Sequence, residues 1–447
     1  MSELLELASR VAGWARDGEQ VEAYVARGRE TDIDVFGGEV ESLSSAESAG
    51  IGIRVVRGSR QGFAYAGSLD ADVVAETLEE ARDNAGFASP DEWVGLAEPD
   101  GVAAADLDLW RDDLAAYPTE QKVARALELE AMVRAADPRI RQVQSAGWGD
   151  SAVETAVASS TGVTATGRRT VCSVSTYVAA GDGDETQTGY GWSVGRSPAD
   201  IEVSVAAADA VQRATRLLGA TKPPSRHLTV VLEPMITASL LAIIAGTLDG
   251  EAVLKGRSLF AERLGQAVAA PALTLVDDPT DPDAFGAVAY DAEGLATRRN
   301  VLVGDGVLRR FVYDSYSARR AGTTSTGSAV RAGYKSGPHA GTRALAPVPG
   351  PLGKEQLYAA VGDGLLVQSV SGLHSGVNPV SGDFSVGAEG LLIRDGEPAE
   401  PVREINIAST LQRMLLGIAH VGGDLERLPG MAAGVSLAID EVSMSGR

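Results

Sequence analysis

The first half of the chain repeats one arrangement of helices and strands, and this repeat limits the possible folds more than any other feature. The first copy opens with an amphipathic helix, and the second opens with a helix that begins near Thr119. Each copy closes with another helix, and Ser197-Pro198 marks the start of the second closing helix. Such a repeat predicts two similar packed units. The apolar stripe of the first helix consists of Leu4, Leu5, Ala8, Val11 and Ala12.

Apolar residues that recur with period two predict the strands of both copies. The first copy has runs at Val21–Val25, Ile33–Val35, Ile51–Val55 and Phe63–Tyr65. The second copy has runs at Ile140–Trp148, Ala152–Ser159, Val163–Val178 and Thr186–Val194. Each copy is therefore expected to be an α-β4-α unit.

From about residue 226 the chain is rich in strand-forming residues and glycine. Asp305-Gly306 and Asp395-Gly396 each lie between apolar runs, which is a strong hairpin signal. The segment Gly322–Pro351 is long for a structureless connection, so it is either mobile or functional. We predict an α+β fold, in which two similar α-β4-α units precede a larger β-rich α+β domain. The expected domain boundaries are 1–115, 116–222 and 223–447.

Charge and cysteine content narrow the class of protein. The formal net charge of −22 argues against a nucleic-acid partner, since binding to phosphates needs a basic surface. The single cysteine, Cys172, permits no disulfide framework and fits a reducing cytoplasm. It lies in a strand-like run and is expected to be a small core residue. The longest apolar run is too short and too polar to span a membrane.

That apolar run lies within Leu228–Gly250, where an enzyme-like scaffold lacks reactive side chains. A strand, Leu228–Leu232, leads through Glu233-Pro234 into a helix expected from about Met235 to Leu248. A strand that feeds a helix across a sharp turn is a common position for an active site. Before Asp249 this helix contains no His, Cys, Asp or Glu. The helix is therefore predicted to serve packing rather than chemistry.

Other motifs that could carry chemistry are incomplete. The four histidines, His227, His339, His374 and His420, are not at helical spacing from one another, and no C-x-x-C occurs. A zinc site needs three or four such ligands together, so no zinc site is predicted in this chain. Gly322–Ser328 has the glycine spacing of a phosphate loop, but it lacks the lysine that would reach the phosphates.

The loop around Asn378-Pro379 and Ser381-Gly382-Asp383 permits two interpretations. Asn-Pro and Ser-Gly both favour turns, so the loop could be a tight turn held by its own side chains. Alternatively, Asn378, Ser381, Gly382 and Asp383 line a cleft that holds an extended peptide backbone. The residues alone leave both interpretations open.

Several segments together resemble the TldD/PmbA family. The runs Asn378–Phe384, Gly390–Ile393 and Ile405–Ala408 look like the family's C-terminal signature, as does Tyr290–Gly294. The stretches Val35–Glu41 and Gly50–Val55 are similar to its N-terminal domain. The resemblance covers nearly the whole chain in a specific order.

The resemblance implies one of two subunit types. In this family, formerly called modulators of DNA gyrase, the TldD type is a metallopeptidase with an H-E-x-x-x-H helix and a late cysteine ligand. The PmbA type, also called TldE, lacks these residues and pairs with the first. Alignment of the helix places Ala242, Ile243 and Thr247 where His, Glu and His would stand, and no cysteine follows Cys172. The chain therefore resembles the PmbA/TldE type, with no catalytic or metal-binding residues of its own.

The function implied by this resemblance belongs to a complex. A cytoplasmic heterodimer with a TldD-type subunit would cleave small or unfolded peptides and process peptide precursors, acting as a hydrolase of peptide bonds. Zinc and the general base would come from the partner, and this chain would bind no cofactor. The alternative is a non-enzymatic, homodimeric protein-binding or regulatory protein. Neither hypothesis involves nucleic acid or a membrane.

Overall fold

The two repeated units share a single antiparallel sheet. The computed structural model describes residues 2–183, 185–428 and 432–447. The strands of the first unit are β1 (Glu19–Phe36), β2 (Glu39–Arg57) and β3 (Arg60–Ala66). Those of the second are β4 (Ile140–Ser159), β5 (Thr164–Asp182) and β6 (Glu185–Gly195). Their order across the sheet is β3-β2-β1-β4-β5-β6, so β1 and β4 join the two units at its centre.

Helices cover one face of this sheet. They are α1 (Glu3–Ala12), α2 (Ala71–Phe87), α3 (Asp112–Ala115), α4 (Thr119–Ala136) and α5 (Val203–Thr215). The side chain of Ser2 accepts a hydrogen bond from the backbone N–H of Leu5 and so caps α1. Ser197 and Pro198 open only a one-turn 3-10 helix, Pro198–Asp200, and α5 begins later, at Val203. The expected start of this closing helix is therefore corrected by five residues.

The α+β class and the two similar units are confirmed, but each unit has three long strands rather than four. The runs Val21–Val25 and Ile33–Val35 both belong to β1, and β4 likewise joins two predicted strands. The first run of β1 packs against α1 and α2, whereas the second packs in the core that contains α4. The residues between them are less buried, so the apolar alternation lapses without a break in the strand.

The other face of the sheet carries the C-terminal part of the chain. In β1 the odd-numbered residues Val21 and Ile33 enter the two helix-covered cores. Because side chains alternate along a strand, the even-numbered Glu22 and Tyr24 lie on the opposite face. Glu22 forms an ion pair there with Arg331 of the C-terminal part. The molecule therefore has three layers: helices, sheet and C-terminal part.

The C-terminal part is organised around a mixed sheet. Its elements are β7 (Arg226–Leu232), α6 (Pro234–Ala245), α7 (Gly250–Leu254), β8 (Leu275–Asp277), β9 (Asn300–Gly304), β10 (Val307–Leu308), α8 (Ser315–Arg320), β11 (Ala329–Val330), β12 (His339–Ala340), β13 (Leu345–Pro347), α9 (Lys354–Val361), β14 (Gly364–Ser371), α10 (Leu373–Gly376), β15 (Asp383–Arg394), β16 (Glu397–Thr410), α11 (Leu411–Leu416), β17 (Ile418–Val421) and β18 (Leu437–Ser445). The strand order is β16-β15-β14-β7-β18-β17, and β16 also pairs with β18, which closes the sheet into a ring.

Both predicted hairpins are present. Asp305 and Gly306 have φ of 51° and 75° between β9 and β10, and Asp395 and Gly396 have φ of 48° and 83° between β15 and β16. Positive φ at both central residues is the geometry that favours Asp-Gly in two-residue turns. The segment Gly322–Pro351 contains β11, β12 and β13, so it is not a structureless connection. Among the helices in the described ranges, none is both long and apolar enough to cross a membrane.

A buried charge network, formed by Glu22, Arg54, Glu293 and Arg331, joins the sheet to the C-terminal part. The Arg54 guanidinium lies 2.5 Å from a carboxylate oxygen of Glu22 and 3.4 Å from one of Glu293. Arg331 lies 2.8 Å from the other oxygen of Glu22, and all four side chains are almost fully buried. Burial by itself would raise the pKa of Glu22, but Arg54 and Arg331 outweigh this effect and lower it.

We expect Arg54→Met to destabilise the protein severely, because it leaves Glu22 and Glu293 buried with fewer partners. Loss of one member of a buried ion pair typically costs about 3–5 kcal/mol. Arg394→Met is the matched control, since Arg394 pairs with Glu400 at the surface and such pairs contribute at most about 1 kcal/mol. Urea unfolding of both variants would measure the difference. Equal unfolding midpoints for the two variants would contradict this role for Arg54.

Candidate functional site

The helix expected to occupy a catalytic position, α6, is anchored by charge at its N-terminus. Pro234 occupies the first turn, which suits its fixed φ. Glu233 precedes it, and its carboxylate lies 2.6 Å from Arg213 and 2.5 Å from Arg216. Arg216 also donates through Nε to the side-chain oxygen of Gln368 on β14. A carboxylate at this end is also favoured by the helix dipole. These bonds fix the start of α6 relative to α5 and β14.

One side of α6 enters the main core of the C-terminal part. Ile236, Leu240, Leu241 and Ile244 are buried there at helical spacing. The other side is not core, because Ala242 is exposed and Ile243 is half-buried. Ala242 therefore lies on the side of the helix away from the core. Neither Ala242 nor Ile243 carries a reactive group, and the assignment of this helix to packing rather than chemistry stays a prediction.

The helix also ends earlier than predicted, so the three positions implied by the resemblance do not share it. Ala242 and Ile243 lie on α6, but its last residue is Ala245. Gly246 follows as the C-cap, and Thr247 lies beyond it, buried, with its hydroxyl donating to the carbonyl of Ile244 at 2.6 Å. Thr247 therefore has a structural hydrogen bond in a turn rather than a place on the exposed helix face.

The exposed side of α6 lines a partly open space between the helix and the N-terminal sheet. We call it the inner cavity; its volume is about 520 Å³. The sheet contributes residues of β4 and β5, and the C-terminal part contributes α6 and several loops. Its lining includes Ser151, Val171, Ala242, Ala245, Phe285, Val330 and Leu345. A concave space of this size, with both polar and apolar lining, is within the range of small-ligand sites.

A second and larger space, which we call the long cleft, adjoins the inner cavity. Its volume is about 730 Å³, and it runs between the sheet and the loops of the C-terminal part. Tyr24 and Trp110 lie along one side and Tyr290 and Tyr334 along the other. Arg169 and Arg343 line both spaces, so these two arginines mark the boundary between them.

The segment that carries Arg343 is held by a buried acid. One carboxylate oxygen of Asp277, on β8, accepts hydrogen bonds from the backbone N–H of Arg343 at 2.9 Å and of Ala344 at 2.7 Å. Its second oxygen is buried without a hydrogen-bond partner. Burial raises the pKa of Asp277 to about 6. Burial, and secondly the charge of Arg169, lower the pKa of Arg343.

The residues at this site do not fit the zinc that the family resemblance implies. Ala and Ile side chains have no lone pair for a metal, and neither can polarise water. Within the described residues, no cluster of three or more His, Cys, Asp or Glu side chains could hold a metal ion. Cys172 is buried in the core of the second unit, where burial raises the pKa of its thiol to about 12. We therefore derive no metal-dependent step from this chain.

The predicted peptide loop is exposed and largely bonded to itself. The side-chain oxygen of Asn378 accepts from the backbone N–H groups of Val380 and Ser381, which is an Asx-type turn. The Ser381 hydroxyl donates to Asp383 at 2.6 Å, and Gly382 has φ of 85°. Asn378, Ser381, Gly382 and Asp383 line neither the inner cavity nor the long cleft. The structure brings these four together as a turn, apart from α6.

Sequence reasoning did not select Arg169, Arg343, Glu233 or Asp277. Arg169 and Arg343 come from segments far apart in the chain, and neither belongs to a recognisable motif. Period-two alternation in β5 offered one signal, since Arg169 falls on the same face as Val171 and opposite Thr170, which is fully buried. The alternation in β5 could not show that the C-terminal part of the chain would cover the face that carries Arg169.

Comparisons with known proteins agree with the predicted family and fold. Models described as PmbA/TldA metallopeptidase domain 1, central domain and C-terminal domain match residues 21–85, 112–218 and 225–446. The metalloprotease PmbA of Escherichia coli O157:H7 is 29% identical, and the match covers 100% of this chain and 96% of that protein.

Two crystal structures share the fold. A protein described as a modulator of a DNA gyrase, from Thermotoga maritima MSB8, superposes with a TM-score of 0.90 at 22% identity, covering 98% of this chain and 99% of its own. TldE from Thermococcus kodakarensis superposes with a TM-score of 0.88 at 24% identity, covering 96% and 97%. Both the architecture and the sequence similarity therefore extend over nearly the whole chain.

We expect Asp277→Asn to flatten part of the pH dependence of stability. The folded pKa of Asp277, about 6, exceeds its ordinary value of 3.8. The contribution of Asp277 to the free energy of unfolding is therefore fully present below about pH 4. It is lost as the pH rises through about 6, a change of roughly 2–3 kcal/mol. Urea unfolding at several pH values would compare wild type with Asp277→Asn.

Asp305→Asn is the matched control, because it removes the same charge from an exposed turn whose conformation asparagine can adopt. The difference between wild type and Asp277→Asn should change with pH, whereas the difference for the control should not. Parallel curves for wild type and Asp277→Asn would refute this role of the buried carboxyl.

Proposed function

Because the chain belongs to the PmbA/TldD metallopeptidase family, we propose that it is the non-catalytic, PmbA/TldE-type subunit of a two-chain peptidase. The proposal is carried by the alignment that the family resemblance implies, in which Ala242, Ile243 and Thr247 stand at the family's metal-motif positions. The exposed Ala242 and the buried, hydrogen-bonded Thr247 offer nothing that could bind a metal or activate water.

The catalytic metal and the general base then belong to a TldD-type partner. That subunit would hold zinc, and this chain would bind none. The complex would act in the cytoplasm on small or unfolded peptides and on peptide precursors. Support comes from the full-length similarity to a metalloprotease named PmbA. The absence of a donor set on the exposed side of α6 agrees with this division of labour.

This chain would contribute part of the surface that holds the peptide. A peptide bound in extended form gains affinity from main-chain hydrogen bonds, which favour many sequences about equally. The inner cavity and the long cleft together provide a concave, partly apolar surface on the face of the sheet away from its helices. The loop of Asn378, Ser381, Gly382 and Asp383 is a second candidate contact, because its polar side chains are exposed.

We expect the isolated chain to contain no stoichiometric zinc and to cleave no peptide. Co-expression with a TldD-type partner should give a stable heterodimer with zinc and peptidase activity. Metal analysis by mass spectrometry and cleavage of an unfolded peptide would measure both. Substitution of the partner's first motif histidine is the control, since it should abolish activity while leaving the complex intact.

Two outcomes would count against the proposal. Zinc and peptidase activity in the isolated chain would make this chain the catalyst. A stable homodimer that never binds a TldD-type chain would instead favour the alternative, a non-enzymatic protein-binding or regulatory protein.

We expect Asp383→Ala to raise KM for peptide several-fold in the assembled complex, with kcat unchanged, because it removes an exposed carboxylate from the proposed contact. Ser381→Ala is the matched variant, since it breaks the 2.6 Å bond to Asp383 but keeps the carboxylate. Steady-state kinetics would compare the two variants. An equal effect of both, or no effect of either, would assign this loop to turn structure alone.

A further inference from the structure

Two arginines at the boundary between the inner cavity and the long cleft lack partners. Among the described residues, neither the guanidinium of Arg169 nor that of Arg343 makes a hydrogen bond or an ion pair. Arg343 Nε is fully buried without an acceptor. Both side chains line both spaces. Buried donors are normally satisfied, so an arginine that lines a cavity and has a buried donor without an acceptor is a candidate contact for a ligand.

The two acids that act electrostatically on Arg343, Asp277 and Asp291, already accept other hydrogen bonds. Asp277 accepts from two backbone N–H groups. Asp291 accepts from the N–H groups of Glu293, Leu295 and Ala329 at 2.9–3.1 Å. Burial raises the pKa of Asp277 to about 6 and that of Asp291 to about 7. Neither carboxyl group donates an oxygen to the arginines.

Neither guanidinium therefore has a carboxylate paired directly with it, in a chain whose net charge is −22. Arg196 adds a third positive charge nearby, because its guanidinium lies 5.7 Å from the ring of Phe285, which lines the inner cavity. Arg196 Nη1 is also buried without a partner. Guanidinium groups remain charged in proteins and match the two oxygens of a carboxylate. The ligand expected at this boundary is an anion.

The walls around the arginines indicate which anion. On one side the inner cavity presents Val171, Ala245, Phe285 and Leu345, which suit an apolar group. On the other side the long cleft leads away between the sheet and the C-terminal loops. A carboxylate with an apolar substituent on one side and an extended chain on the other is the C-terminal residue of a peptide.

We propose that Arg169 and Arg343 bind the C-terminal carboxylate of a peptide whose last side chain is apolar. That side chain occupies the inner cavity, against Ala242 and Ala245 of α6. The preceding residues lie in the long cleft, along Tyr24 and Tyr290. The apolar surface of α6 has a role in this arrangement, since it forms the wall of a side-chain pocket.

This inference rests on the proposed function for the peptide nature of the ligand, but its test needs no partner subunit. An N-terminally fluorescein-labelled hexapeptide that ends in leucine would be titrated with the isolated full-length chain, and fluorescence anisotropy would measure Kd. The same peptide with a C-terminal amide tests the carboxylate. We expect the amide to bind at least about tenfold more weakly, as for loss of a charge-assisted bond.

Variants then test the two arginines. Arg169→Gln and Arg343→Gln should each raise the Kd of the free-acid peptide by at least about tenfold. The Kd of the amidated peptide should change little. Arg394→Gln, which makes the same charge change at the surface, should leave both values unaltered. Arg343→Lys keeps the positive charge but lacks the planar guanidinium group. Its Kd for the free-acid peptide should lie between those of wild type and Arg343→Gln. Circular dichroism and thermal unfolding would verify that each variant is folded.

Further peptides distinguish the sources of the anion. An amidated peptide that ends in glutamate tests a side-chain carboxylate, and a free acid that ends in lysine tests the apolar pocket. Both should bind more weakly than the leucine acid. Four results would each overturn the proposal. The first two are tight binding of the glutamate amide and equal binding of the free acid and the amide. The others are competition by millimolar inorganic phosphate without any preference for the acid, and no binding of any peptide.

These outcomes are separate from those that test the proposed function. A preference of the isolated chain for the free acid would stand even if no TldD-type partner assembled with it. Conversely, an active heterodimer could form although the isolated chain bound acid and amide equally.

Discussion

The buried charges of Glu22, Arg54, Glu293 and Arg331 hold the C-terminal part against the open face of the sheet. Without this contact the sheet would have helices on one side and a bare surface on the other. Tyr334 reinforces the contact by packing over Gly50 and Gly52 of β2, where a Cβ atom would collide with it. Both spaces that could receive a ligand lie between these two layers, so their shape depends on the same contact.

The position of the helix α6 is fixed independently of the residues on its exposed side. Its N-terminus is fixed by Glu233 between Arg213 and Arg216, and its buried side is a regular apolar stripe. These features place the opposite side of the helix along a cavity, whatever residues it carries. In this chain that side presents Ala242 and Ala245, so it supplies surface rather than reactive groups.

Local signals allowed much of the fold to be predicted, and the misses have physical causes. Asp-Gly turns, capping residues and apolar periodicity act over a few residues, so both hairpins and the two-unit α+β arrangement could be inferred. The sequence pattern predicts two strands where the structure has the single strand β1, because the middle of β1 lies between two cores and is less buried. The early end of α6 coincides with Gly246, a residue that favours helix ends. Arg169 and Arg343 could not be found, since only the packing of sheet against C-terminal part brings them together.

The length of the central strands has a consequence for how the protein folds. Each of β1 and β4 contributes side chains to the core of both units, with Val25 and Ala156 in one and Ile33 and Trp148 in the other. A chain cut between α2 and α4 would leave half of each strand without the helices that cover it. The two units should therefore gain and lose their structure together, as one cooperative block. Their similarity records a duplication in the pattern of the sequence, but neither copy retains a core that is wholly its own.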